Sequence, residues 1–197
     1  MTKSLLLPIA LIAALPLAGC ISFGATPPDT LLTLTSTAAL PIGQMQNSAT
    51  AKSIVIAVPV TPQSLATTRV PVQTTATSIA YVKEAQWSEP PARLFARLLS
   101  DTTTVRTGRV VLSQVQAVTE ANDQLGGELR NFGLDAEART AIVTFDAALM
   151  RSGATGTEKR RFEARVPVTA IDAASAGPAI NQAANQVAQQ VADWVGR

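Results

Sequence analysis

Residues 139–168 constrain the fold more than any other stretch of the chain. Ala141, Val143, Phe145, Ala147 and Leu149 recur at every second position. After a turn over 152–156, Phe162, Ala164, Val166 and Val168 do the same, and Arg161, Glu163 and Arg165 fall between them. A period of two puts each apolar set on one face of a strand. The two runs read as an antiparallel hairpin with one dry face and one wet face. Such a sheet is stable only under a second layer.

Two segments supply that layer. In 176–194, Ile180, Ala184, Val187, Val191 and Trp194 follow helical spacing, while Gln182, Gln186, Gln189 and Gln190 lie opposite. This predicts an amphipathic helix. Its Ala/Gln side either packs on the sheet or meets a second copy of the chain in a homo-oligomer. A shorter helix is expected over 90–101, with Ser88 as N-cap, Pro90 in the first turn and an apolar stripe of Pro91, Leu94, Phe95 and Leu98. Arg93 and Arg97 sit four residues apart on its outer side. Trp87, in the run Trp87-Ser88-Glu89-Pro90-Pro91, either closes the core where strand meets helix or faces a partner.

The remaining segments read as further strands. Residues 53–60, SIVIAVPV, are apolar on both faces, which predicts a central buried strand ended by Pro59. A short opening strand is expected at 31–36, a short edge strand at 70–73, and one at 78–84 with Ile79, Tyr81 and Lys83 on one face. Strands are also expected at 109–116 and 124–132. The expected fold class is α+β: a single domain, mostly antiparallel, with two helices packed on one face.

Composition closes most catalytic chemistry. The chain has no histidine and one cysteine. That removes imidazole-based catalysis, internal disulfides and Cys/His metal sites. The pairs Glu120/Asp123 and Asp135/Glu137 lie in expected loops without a third partner. Gly126-Gly127 does not open a helix, so it is no phosphate cradle. A net charge of +2 with scattered basic residues gives no signature for nucleic acid. An enzyme is not expected.

The one cysteine has a specific setting. Lys3 precedes an uncharged apolar run over 5–18, shorter than a bilayer span, as in a secretory signal. Leu17-Ala18-Gly19-Cys20 resembles the bacterial lipobox. That resemblance implies cleavage after residue 19, a diacylglycerol and an N-acyl chain on Cys20, and no other cofactor. Residues 1–19 are then the signal peptide, 20–30 a lipidated N-terminus and Gly/Pro-containing tether, and 31–197 the domain. Ile21 follows the cysteine, where Asp would retain a lipoprotein at the inner membrane. The expected site is the outer membrane, facing the periplasm.

The chain resembles the ABC-type transport auxiliary lipoproteins, the components that accompany MCE-domain, Pqi-like transport systems. The matching pieces, in order, are the lipobox, LLTLTS at 31–36, Val-Pro-Val at 58–60, Arg-Val-Pro-Val at 69–72, Trp-Ser-Glu-Pro-Pro at 87–91, the late hairpin and the Ala/Gln helix. The opening strand lacks the family's tyrosines, and 69–72 departs from its pattern. The resemblance implies a non-enzymatic partner of an MCE-domain protein in moving phospholipid or other hydrophobic solutes between membranes. Trp87, Arg93 and Arg97 are the candidate partner contacts. The alternative is a structural or assembly lipoprotein for an outer-membrane machine.

Overall fold

The computed structural model describes residues 28–38, 42–114, 116 and 123–196. The signal peptide, Cys20 and most of the tether lie outside the described residues.

Seven strands form one sheet. In chain order they are β1 (Ser53–Ile56), β2 (Arg69–Thr75), β3 (Ser78–Gln86), β4 (Val110–Leu112), β5 (Asp123–Asp135), β6 (Thr140–Met150) and β7 (Thr157–Pro167). The helices are α1 (Pro91–Thr107) and α2 (Ala173–Val195). One edge of β5 pairs antiparallel with β6, and β6 with β7. The other edge is shared by two parallel strands, β1 near its start and β2 near its end. β4 extends the sheet beyond β1, again parallel, and β3 extends it beyond β2, antiparallel.

The sheet is therefore mixed, not mostly antiparallel. β1 is central and buried, as its two-sided apolar pattern predicts, and parallel pairing is the usual setting for such a strand. It is shorter than expected. Pairing stops at Ile56 and resumes at a single bridge between Val60 and Glu128, because Pro59 interrupts the ladder. β2 is internal, not an edge. Pro71 is tolerated because pairing with β5 is confined to Val72 and Gln73. β3 turns Val82 and Ala85 inward, while Ile79 stays half exposed. A bulge shifts its register, and Glu84 sits in it with φ 57°. The 109–116 strand shrinks to β4.

The late hairpin matches its alternation. Ala141, Val143, Phe145, Ala147, Leu149, Phe162, Ala164 and Val166 are all buried. Phe145 and Phe162 sit opposite each other across β6 and β7. Phe145 meets Phe95 of α1 at 5.4 Å, and Phe162 meets Trp194 of α2 at 5.6 Å. Directly opposed residues share a face, so both helices cover the same side of the sheet, as expected. The other side carries Arg161 in a two-pronged contact with Asp146 at 2.6 and 2.7 Å, and Arg165 on Glu163 at 2.9 Å.

Both helices are longer than expected. α1 continues through Thr102, Thr103 and Thr104, all buried, and ends at Gly108 with φ 68°. A polar triplet reads as a helix end in sequence, but here it packs inside. Ser88 does not cap α1. Pro90 holds the cap position without a side-chain bond, and the Ser88 N–H donates to Leu32 O. α2 begins earlier, where the Asp172 carboxylate accepts from Ser175 N–H at 2.8 Å.

The opening strand at 31–36 is replaced by a strap. Only Leu32 bridges the sheet, parallel to Trp87. Residues 35 and 37 are held by side chains of α2. Part of the Gln-rich side of α2 is thus taken by the chain itself.

Candidate partner-docking face

The turn before α1 places Trp87 in the core. Its residue exposure is 0%, and its ring lies 5.4 Å from Phe132. Its backbone N–H donates to Thr68 O and its neighbours bind the strap. A fully buried ring offers nothing to a partner, so the Trp87 contact does not stand. The core-closing reading fits the geometry.

Arg93 and Arg97 do come together. Helical spacing puts Arg93, Arg97 and Asp101 in one stripe at intervals of four, and Glu89, just before the helix, folds over its start. Arg97 grips Glu89 with two hydrogen bonds of 3.1 and 2.7 Å. These bonds hold the Glu89 carboxyl below its ordinary range and raise the Arg97 guanidinium, against weaker opposing burial. Burial pushes the Asp101 carboxyl up, against the charge of Arg97. Arg93 is exposed and makes no ion pair among the described residues.

The two arginines wall an open groove of about 590 Å³ at the end of β1 and β4. Its apolar lining includes Ile56, Val58 and Leu112, and Val58 is 55% exposed. Glu89 lines the same wall and is paired with Arg97, so Arg93 carries the wall's unmatched positive charge. Sequence reasoning missed Val58 because it fell in a run expected to be buried, and Leu112 because it sat in a run expected to be a longer strand. The signal was Pro59, which ends the pairing beside Val58.

Among the described residues there is no group of three or more His, Cys, Asp or Glu placed to hold a metal. No helix there is long and apolar enough to cross a membrane.

An α+β domain of two helices on one face of a mixed seven-strand sheet, with a cationic groove beside the first helix, is the class defined by these features. The fold is similar to that of protein XCC0632 from Xanthomonas campestris, of family DUF330. The TM-score is 0.67 at 19% identity, over 84% of this chain and 94% of that one. It is also similar to a crystal structure of an uncharacterized protein, with TM-score 0.60 at 14% identity over 74% and 90%. No curated protein matches the chain. The model of the ABC-type transport auxiliary lipoprotein component matches residues 33–192, and the chain belongs to that family. Membership makes it an auxiliary lipoprotein component of an ABC-type transport system, which implies a non-catalytic role.

Proposed function

We propose that this lipoprotein serves an MCE-type ABC system that moves phospholipid or another hydrophobic solute between the inner and outer membranes. Acyl chains on Cys20 hold it at the outer membrane, facing the periplasm. One acyl chain alone binds a membrane only marginally, whereas two or three make the attachment durable. The domain then acts as a dock, and the groove walled by Arg93 and Arg97 receives the MCE-domain protein.

The observation that carries this reading is the family match over residues 33–192, nearly the whole described domain. The groove supports it at the level of chemistry, since Arg93 has charge left for a partner. The test is chemical cross-linking of intact cells followed by purification of the lipoprotein. Co-purification of the MCE-domain protein supports the reading. Recovery of outer-membrane assembly factors without it overturns the reading.

A further inference from the structure

The strap is fastened in an unusual way. The Asn185 carboxamide, buried on α2, makes four hydrogen bonds. Its oxygen accepts from the Thr37 N–H at 2.9 Å and the Thr37 hydroxyl at 3.0 Å. Its nitrogen donates to Thr35 O and to Asn181 O, both at 2.9 Å. Asn181 Oδ1 accepts from the Thr35 N–H at 2.9 Å. At the other end, Leu32 exchanges two backbone bonds, donating to Gln86 O and accepting from Ser88 N–H. Its side chain lies over Gly177, where an added Cβ would come within 2.8 Å of Leu32 Cδ2. Asn181, Asn185 and Gly177 thus form a seat for an extended polypeptide, read mainly through its backbone.

The seat is specific but shallow. None of residues 31–38 that the structure describes is fully buried, and residues 42–50 are exposed throughout. Segments with few buried contacts open at low free energy. The next firmly held residues after the strap are those of β1.

We propose that residues 32–37 are a releasable fastening that sets how far the domain reaches from its membrane anchor. With the strap seated, the chain from Cys20 to Leu32 can reach no more than roughly 40 Å. With it released, the chain from Cys20 to the start of β1 can reach up to roughly 110 Å. A partner engaged beyond the short reach is met by giving up the strap's bonds. The domain itself stays folded, because the strap adds one bridge to the sheet and two half-buried side chains, Leu32 and Leu34, at the edge of the core. The change in reach rests on lipidation at Cys20; the seat does not.

The test uses the full lipidated protein in phospholipid vesicles, with hydrogen exchange on the strap and a fluorescent label at Ala154→Cys reporting distance to the bilayer. In the native protein the Leu32, Thr35 and Thr37 amides exchange at least tenfold more slowly than an unstructured peptide. Asn185→Ala removes that protection, leaves β6 protection unchanged and moves the label away from the bilayer. Gly177→Leu does the same by crowding Leu32 while favouring the helix, so it separates strap release from loss of fold. Unprotected strap amides in the native protein overturn the seat. Release without a change in label distance overturns the reach. Protein that fails to attach to vesicles overturns the anchoring and the reach with it, while the exchange data still judge the seat.

Discussion

At the scale of single residues, one buried ion pair and one glycine do most to hold the far end of the domain. Arg109 and Asp123 meet at 2.5 Å with side chains 8% and 12% exposed. Arg109 also donates to Val195 O, and Arg151 to Trp194 O and Val195 O, so two cations meet the C-terminal carbonyls of α2. Burial raises the Asp123 carboxyl. The Ser152 N–H, the Arg109 hydrogen bond and the charges of Arg109 and Arg151 outweigh it and hold the group below the ordinary carboxylate range. A carboxyl lowered by folding binds its proton more readily in the unfolded chain. Its stabilisation is therefore full above the ordinary Asp value and is lost as pH falls below it. Asp123→Asn should cost about 2–4 kcal/mol at neutral pH. It should also flatten the acid limb of a stability profile below about pH 4, measured by urea unfolding from pH 2 to 7. Gly127 has φ 145°, and a Cβ there would lie 2.1 Å from Asp146 O. Gly127→Ala should lower stability by at least about 3 kcal/mol in the same assay, since both backbone strain and the clash must be relieved.

At the scale of elements, legibility followed the strength of the pattern. β6, β7 and α2 could be read because each has a long amphipathic period with no competing signal. α1 was read short because Thr102, Thr103 and Thr104 are polar, and only their packing against the rest of the fold explains their burial. β2 was read as an edge because Pro71 forbids a full ladder. Its place inside the sheet depends on β5 being long enough for two neighbours, which no local window shows. The strap was read as a strand because its threonines favour extension. Its bonds go instead to amides about 150 positions away. On the candidate site, the arginine stripe was legible from spacing alone. The core-closing reading of Trp87 holds, but the exposure of Val58 was not legible, since it depends on what lies across the sheet. Among the described residues β7 pairs only with β6, and Lys159, Arg161 and Arg165 stand on this edge strand. Charges on an edge strand oppose pairing with another chain. Replacing Lys159, which makes no ion pair among the described residues, by Thr should leave the melting temperature within a few degrees, yet raise the dimer or aggregate fraction by light scattering at micromolar concentration.

At the scale of the whole molecule, the account joins an anchor, a strap and a docking groove. α2 supports both ends of it. Its amide row seats the strap, and its C-terminus is locked by Arg109 and Arg151. Loss of the thioether is the coarse check on the anchor. Cys20→Ala should deplete the protein from the outer-membrane fraction, read by density-gradient fractionation, and leave an uncleaved precursor of higher mass that keeps its apolar leader, with an unchanged folded domain. The central claim is that the domain docks a transport partner through the face bearing Arg93 and Arg97. The direct measurement is the affinity of the purified domain-bearing lipoprotein for its MCE-domain protein, by calorimetry, for the native chain and for Arg93→Glu. Arg93 has no direct ion-pair partner among the described residues, and its charge acts only at longer range on Glu89, so the reversal is paired with a thermal melt that checks that the fold persists. The account predicts measurable binding that weakens at least tenfold on reversal, about 1.4 kcal/mol, and weakens less as salt rises. Native binding that Arg93→Glu leaves unchanged, or no binding at all, would contradict it.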